Sequence, residues 1–202
     1  MQNTVIYLLR HSIPIYEMID GRRVMYGPDA LLTEEGKQKA RKLGEEILAL
    51  EGKPFDFIYS SPLRRAHETA YILAEQMGLN AVISVNDLRD TDSIWGGTPM
   101  DVLMEVGNAG HIFDDPRTHE TLSEIAERMT NAFNQITSSH EGQLIGIVSH
   151  GDPLRLLYNR IRYPHTVIPP YPQLVNELTL DMAQGIRLEI SPKGENQFSK
   201  NV

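Results

Sequence analysis

The chain has 202 residues and a formal net charge of −8, enough for one well-buried core, and its acidic balance disfavours nucleic acid and anionic membranes as main partners. The absence of cysteine excludes disulfides, thiolate nucleophiles and cysteine-based metal sites. Arg10 interrupts the N-terminal apolar run that a signal peptide or membrane span needs, so we expect a single cytoplasmic domain.

The first predicted strand and helix lie within the first quarter of the chain. Residues 5–9 form a short apolar run, as in a strand covered on both faces. Thr33 is a predicted N-cap, with Glu34 and Glu35 in the first turn, where acidic groups are favourable. The apolar face of this predicted helix comprises Ala40, Leu43, Ile47 and Leu48.

A second strand and helix follow directly. Residues 55–59 form another short apolar run. Ser61 is a predicted N-cap and Pro62 a predicted first helical position, and the apolar period continues until Gly78 stops the helix. A further short strand is predicted at residues 81–85.

The middle of the chain differs in composition. Residues 87–118 hold the single tryptophan, paired glycines and prolines, which predicts an insertion or lid. After it, Thr121 and Glu124 have the spacing of a capping box, and a helical apolar period follows.

The last part of the chain contains one more strand and helix and a predicted hairpin. Residues 144–148 predict a buried strand, and Asp152 predicts the N-cap of the next helix. Residues 177–181 and 186–190 alternate with period two and predict the hairpin. We expect one α/β domain over residues 1–192, with a mostly parallel sheet and the lid at about 87–118, and a disordered tail at 193–202.

Basic and imidazole side chains follow the three long predicted strands. Arg10 and His11 follow the first, Arg64 and Arg65 follow the second, and His150 follows the third. Ligands of open parallel sheets bind beyond the carboxyl ends of the strands, so we expect these side chains to converge. Taken singly, each histidine is more often a hydrogen-bonded loop residue, and one of two adjacent helical arginines usually faces solvent. Together they favour an oxyanion site, and a phosphoryl group suits the guanidinium fork.

Five segments carry a resemblance to a known family. They are residues 9–12 (LRHS), 32–36 (LTEEG), 60–70 (SSPLRRAHETA), 120–121 (ET, with Arg128 following) and 148–151 (VSHG). In this order they resemble the motifs of the histidine phosphatase superfamily, which includes the cofactor-dependent phosphoglycerate mutases. The resemblance spans residues 5 to about 190. It implies a three-layer α/β/α fold like that of the phosphoglycerate mutases.

The resemblance also implies roles for individual residues. His11 is expected to attack phosphorus and carry the phosphoryl group as a phosphohistidine. Arg10, Arg65 and His150 are expected to bind the phosphoryl oxygens, with further donors from the backbone at Gly151. Neither a metal nor another cofactor is expected, because cationic side chains supply the electrostatic stabilisation.

Two positions depart from the superfamily pattern. Asp90 stands where members place a glutamic acid, and we expect it to serve as general acid and then as general base. Its rivals are Asp92, a loop acid, and Asp152, which is better explained as a helix N-cap. Ser12 replaces the usual glycine, and we expect its small side chain to fit beside the phosphate and offer a hydroxyl donor.

These observations favour a metal-independent phosphomonoester hydrolase acting on a small phosphorylated substrate or phosphate. One alternative is a phosphoglycerate mutase-type phosphotransferase, which usually needs a longer lid and tail. The other is a catalytically weak phospho-ligand-binding protein, which Ser12 and Asp90 allow. A homodimer is compatible with the sequence but not indicated by it. Candidate contacts for the leaving group are the lid residues Trp95, Met100, Met104, His111, Phe113, Arg117 and His119.

Overall fold

The computed structural model describes residues 2–25, 27, 29–91, 97–108, 119–164 and 166–202. The strands are β1 (Thr4–Arg10), β2 (Met18–Ile19), β3 (Arg22–Arg23), β4 (Phe57–Ser60), β5 (Ile83–Ser84), β6 (Leu144–Ser149), β7 (Gly185–Ile190) and β8 (Asn196–Asn201). The helices are α1 (Glu34–Glu51), α2 (Arg64–Gln76), α3 (Met100–Asn108), α4 (Leu122–Ser139), α5 (Gly151–Arg162) and α6 (Tyr171–Glu177). Within these ranges no helix is both long and apolar enough to cross a membrane.

The central sheet has the strand order β5-β4-β6-β1-β7-β8. Strands β5, β4, β6 and β1 are parallel, and β7 and β8 extend the sheet as antiparallel strands. Side chains of β1 alternate between two cores: Ile6 and Leu8 pack with α4 and α5, whereas Tyr7 and Leu9 pack with α1 and α2. The predicted three-layer α/β/α architecture with a mostly parallel sheet is confirmed.

Two predicted helix caps are confirmed. The Thr33 hydroxyl accepts a hydrogen bond from the backbone N–H of Gly36 at 2.9 Å. Thr121 and Glu124 form the complete capping box that their spacing predicts. Both caps are set by residues close in sequence, so local chemistry is enough to place these helix starts.

The predicted start of α2 is wrong. The helix begins at Arg64 rather than at Pro62, and its N-cap residue makes no side-chain cap bond. The Ser61 side chain instead contacts His150, with 2.8 Å between Oγ and the imidazole Nε2. The Ser61 Oγ also accepts a hydrogen bond from the backbone N–H of Leu63 at 3.2 Å, so this hydroxyl joins the segment before α2 to the end of β6.

The predicted N-cap of α5 is also wrong. The N-cap is His150 and the helix begins at Gly151, so Asp152 lies inside the first turn. Its carboxylate accepts hydrogen bonds from Arg155 at 2.5 Å and from the Tyr171 hydroxyl at 2.8 Å. Because Tyr171 comes from a different helix, the sequence near Asp152 gives no sign of this arrangement.

The C-terminal segment departs from the prediction twice. No hairpin joins residues 177–181 to residues 186–190, because β7 pairs with β1 and β8. The period-two pattern of the first segment arises from Leu178 and Leu180, which are buried against the core outside any strand. The predicted disordered tail is instead ordered over β8, since a polar edge strand gains backbone hydrogen bonds while its side chains stay exposed.

The predicted lid is described over residues 87–91 and 97–108. This segment contains α3. Pro99, the residue before α3, forms a β-bridge with Val24 of the N-terminal loop. Several residues of the predicted lid lie outside the described residues, namely Asp92, Trp95, His111, Phe113 and Arg117.

Candidate active site

The carboxyl ends of β1, β4 and β6 meet as the sequence predicts. Strand β6 lies between β4 and β1, and the β1–β6 register pairs Arg10 with Ser149. His11 and His150 are the next residues of the two strands, and their ring centroids lie 5.1 Å apart. Parallel pairing therefore brings the two predicted imidazoles to one point at the sheet edge.

His11 is fixed in one tautomer by its own loop. Its Nδ1 lies 2.7 Å from the backbone carbonyl oxygen of Ser12, which only accepts, so Nδ1 carries the proton and Nε2 keeps its lone pair. Burial holds the pKa of His11 well below its ordinary value, and the neighbouring His150, Arg65 and Arg10 side chains lower it further. The imidazole is therefore neutral near neutral pH.

Arg10 carries an open donor beside His11. Its Nη1 donates to the carbonyl oxygen of Leu180 at 2.6 Å, which fixes the direction of the side chain. Its Nε is buried and has no hydrogen-bond partner among the residues that the structure describes. A buried cationic N–H without a protein acceptor is suited to an incoming anion.

The two adjacent arginines of α2 have separate environments. Arg64 is exposed, whereas Arg65 is only 2% exposed. The Nη2 of Arg65 donates to Oδ2 of Asp90 at 2.6 Å, and its Nη1 reaches the carbonyl oxygen of Gly27 at 3.4 Å. The expectation that one of the pair faces solvent agrees with this arrangement, and Arg65 is the inward one.

His150 lies between a hydroxyl and a carboxylate. Its Nε2 contacts the Ser61 hydroxyl, and its Nδ1 lies 3.3 Å from Oδ2 of Asp90. Burial, followed by the charges of Arg65 and Arg10, holds the pKa of His150 well below its ordinary value. The second imidazole is therefore also neutral near neutral pH.

Gly151 allows close packing at the start of α5. A Cβ added there would lie 3.3 Å from Cζ of Arg10 and 3.4 Å from Nη1 of Arg155. The missing side chain lets two guanidinium groups lie against the first turn of the helix, where backbone N–H groups also favour anions.

Asp90 is brought to the site by a buried arginine. Arg128 donates to the carbonyl oxygens of Asp87 at 2.7 Å, Arg89 at 2.9 Å and Asp90 at 3.0 Å. The Glu120 carboxylate accepts two further bonds from Arg128, at 2.8 and 3.0 Å. The two motif residues Glu120 and Arg128 thus hold the loop that carries Asp90, a role for which the sequence offers only the motif match.

Ser12 does not direct its hydroxyl towards the predicted phosphate position. Its Oγ donates to the carbonyl oxygen of Gly36 at 2.6 Å, and its backbone N–H donates to Oγ1 of Thr69 at 3.0 Å. The residue is fully buried. The hydroxyl proton is used to join the β1 loop to α1, so the expected hydroxyl donor to phosphate is absent from this arrangement.

A cavity of about 600 Å³ opens above these residues. Arg10, His11, Asp90 and Gly151 line one part of it, whereas Arg65 and His150 are almost fully buried and contact Asp90. Sequence reasoning missed several of its other lining residues: Tyr16, Met25, Leu103, Arg155, Tyr171, Val175 and Met182. They come from separate loops and helices and share no local pattern. Among the described residues, no group of three or more acidic or histidine side chains could hold a metal ion.

Comparisons with known proteins agree with this fold and motif order. The family model of the histidine phosphatase superfamily (branch 1) matches residues 6–174. A stretch of 150 residues is 32% identical to phosphoglycerate mutase-like protein 4 of Arabidopsis thaliana, over 70% of this chain and 64% of that protein. A stretch of 158 residues is 27% identical to phosphoserine phosphatase 1 of Hydrogenobacter thermophilus, over 75% of this chain and 72% of that protein.

A solved structure shows the same fold. A mycobacterial glucosyl-3-phosphoglycerate phosphatase superimposes with a TM-score of 0.75 at 21% identity, over 98% of this chain and 97% of that one. The family match covers most of the chain, including Arg10, His11, Arg65 and His150. The relatives of this chain include a phosphatase and a mutase-like protein, and the phosphatase supports a phosphatase activity. The chain belongs to the histidine phosphatase superfamily.

Proposed function

We propose that this chain hydrolyses phosphomonoesters without a metal, through a phosphohistidine on His11. Arg10, Arg65 and His150 bind the phosphoryl oxygens, assisted by the backbone at Gly151, and Asp90 transfers protons. The observation that carries the proposal is the pairing of a neutral imidazole, protonated on Nδ1, with a buried Arg10 N–H that has no acceptor in the described part of the chain. A nucleophile and an anion-binding donor therefore line the same cavity.

The bound phosphoryl group replaces the Asp90 carboxylate at Arg65. In this structure the Asp90 carboxylate contacts both Arg65 and His150, and it lines the cavity. A phosphate oxygen competes for the same donors, since both are anions with similar hydrogen-bonding geometry. The displaced carboxyl group then lies beside the phosphoryl group, where it can transfer a proton to the ester oxygen.

In the first step, the lone pair on Nε2 of His11 attacks phosphorus and the ester P–O bond breaks. The departing alkoxide oxygen takes the proton of the Asp90 carboxyl group, so the alcohol leaves neutral. The His11 Nδ1–H stays bonded to the Ser12 carbonyl oxygen, which stabilises the positive ring. Arg10 and Arg65 stabilise the charge on the equatorial oxygens.

In the second step, the Asp90 carboxylate takes a proton from water as the water oxygen attacks phosphorus. The P–N bond breaks, its electron pair returns to Nε2 of His11, and inorganic phosphate leaves. Asp90 ends protonated and His11 neutral, so the cycle closes without a metal or another cofactor.

The test is hydrolysis of p-nitrophenyl phosphate by the purified chain in the presence of EDTA. Rapid quenching of the reaction with phosphoryl-labelled substrate should leave label on the protein. This label should be stable in alkali and lost in acid, as expected of a phosphohistidine. His11→Asn should abolish both the label and turnover. The control is His67→Asn, which changes a partly buried histidine in contact with the Ser60 hydroxyl, and it should keep both. Turnover with an undiminished label in His11→Asn would refute the proposed nucleophile.

A mutase activity is the second candidate, and the similarity to mutase-like protein 4 of Arabidopsis thaliana favours testing it. The assay is conversion of 3-phosphoglycerate to 2-phosphoglycerate in the presence of 2,3-bisphosphoglycerate. Isomerisation faster than phosphate release would move the assignment to a phosphotransferase. Phosphate binding without label or turnover would instead indicate a phospho-ligand-binding protein.

A further inference from the structure

Six apolar side chains line the same cavity as Arg10 and His11. We call this surface the apolar wall, and it consists of Met25, Met100, Leu103, Met104, Val175 and Met182. Three of these residues lie on α3 at positions i, i+3 and i+4, so they share one face of that helix. The remaining three come from loops or helices on other sides, and together they surround the space next to Arg10 and His11.

The four methionines of the apolar wall are not part of the hydrophobic core. Methionine in a protein interior is usually a gap filler, yet none of these four belongs to the three clusters of buried apolar side chains in the described residues. Met104 is 62% exposed and the others are half-buried. A half-exposed apolar surface that lines an open cavity is buried further, and so gains stability, when a ligand covers it.

Both arginines among the described lining residues of the cavity already have anionic or carbonyl partners. Among the described lining residues, the permanently charged cations are Arg10 and Arg155. Arg10 belongs to the phosphate-binding end. Arg155 is already neutralised by Asp152 at 2.5 Å, and its Nε donates to the carbonyl oxygen of Leu178 at 2.9 Å. A substrate carboxylate next to this pair would face the Asp152 charge.

We infer that the preferred substrates are phosphomonoesters of bulky, apolar alcohols, with the alcohol against the apolar wall and the phosphate at Arg10. The inference rests on the proposed function for the position of the phosphate. A compact alcohol such as serine or glycerate fills little of the roughly 600 Å³ cavity, and its carboxylate finds no free cation among the described lining residues. The apolar wall therefore favours alcohols with a larger apolar area, because each methylene removed from water adds to the binding free energy.

The test compares straight-chain monoalkyl phosphates from ethyl to octyl, whose alcohols are equally poor leaving groups, with phosphoserine. We expect kcat/KM to rise about fourfold per methylene until the cavity is full, and phosphoserine to be no better than ethyl phosphate. A flat series, or phosphoserine exceeding hexyl phosphate, overturns the inference. The binding of alkylphosphonates, measured by calorimetry, separates this inference from the hydrolytic function. Affinity that rises with chain length supports the apolar wall even without turnover, and affinity independent of chain length overturns it.

A matched pair of variants assigns the effect to the apolar wall. Met104 and Met18 are both 62% exposed, but of the two only Met104 lines the cavity. We expect Met104→Gln to reduce the hexyl-to-ethyl ratio of kcat/KM at least threefold, whereas Met18→Gln leaves it unchanged. Because both side chains are largely exposed, neither change should unfold the chain, and equal ratios in the two variants would overturn the role of Met104.

Discussion

At the phosphate-binding end of the cavity the side chains are buried, and hydrogen bonds join the elements that carry them. The side chains of the apolar wall are half-exposed, and fewer hydrogen bonds hold the elements that carry them. His11, Arg65 and His150 are each at most 2% exposed, and bonds from β1, α2, β6 and the Asp90 loop meet there. On the other side, α3 is held by the Val24–Pro99 bridge, by a 2.7 Å bond from Met25 to Thr98 and by an exposed ion pair between Arg22 and Asp101.

This contrast separates chemistry from substrate preference. Atoms that must meet phosphorus within a fraction of an ångström are fixed by many elements of the sheet. The apolar wall needs only area and shape, so long flexible side chains on an exposed helix are sufficient. Changes at the phosphate-binding end should therefore lower turnover of every substrate, and changes in the apolar wall should alter the order of substrates.

The largest effect is expected from the buried arginine of α2. Arg65→Ala should lower kcat on p-nitrophenyl phosphate by about 10²- to 10³-fold, because a charge-stabilising donor in a water-excluded site is lost. The matched control is its exposed neighbour, and Arg64→Ala should stay within about twofold. Similar losses in the two variants would show that burial does not distinguish these arginines in function.

The Asp90 carboxyl group should be more important for poor leaving groups than for good ones. Asp90→Asn should slow hexyl phosphate by about 10²-fold or more but p-nitrophenyl phosphate less than tenfold, since p-nitrophenolate leaves without a proton. Asp152→Asn, which changes a carboxylate of the same cavity, should affect both substrates alike. Equal losses for both substrates in Asp90→Asn would remove this residue from the acid role.

The two buried imidazoles should make stability depend on pH. The pKa values of His11 and His150 are lowered in the folded chain, so below about pH 6.5 the unfolded chain binds more protons than the folded one. The free energy of unfolding should be fully maintained above about pH 6.5. It should fall below that pH by about 1.4 kcal/mol per pH unit for each histidine. Urea unfolding between pH 7.5 and pH 5 measures this slope, and His11→Asn should make it shallower; an unchanged slope would contradict the buried neutral state of His11.

The smallest effect on activity is expected at Ser12. Ser12→Ala removes the hydroxyl that donates to the buried Gly36 carbonyl oxygen, which should cost about 1–2 kcal/mol of the free energy of unfolding. Because the hydroxyl is directed to α1, kcat/KM should stay within about twofold, and Ser12→Gly should behave in the same way. A tenfold loss of kcat/KM with unchanged stability would restore the expected role of Ser12 as a phosphate donor.

Much of the phosphate-binding end could be predicted because its residues follow strands. A buried apolar run identifies a strand, and parallel strands present their carboxyl ends at one edge, so the order of residues alone places Arg10, His11 and His150 together. The helical period of α2 could not choose between Arg64 and Arg65. That choice depends on the orientation of the helix against the sheet, which only the packed core sets.

Local sequence chemistry determined strands β1, β4 and β6, the Thr33 and Thr121 caps, the superfamily motifs and the position of both histidines at strand ends. Tertiary structure decided which hydrogen-bond partner each short polar side chain takes. Ser61 bonds His150, Asp152 bonds Arg155 and Tyr171, and Ser12 bonds Gly36. Tertiary structure also converted the polar tail into β8 and assembled the apolar wall from distant segments. The physical reason is range: caps and periodicity act over three or four residues, whereas buried polar groups bond whichever partner the packing brings within about 3 Å.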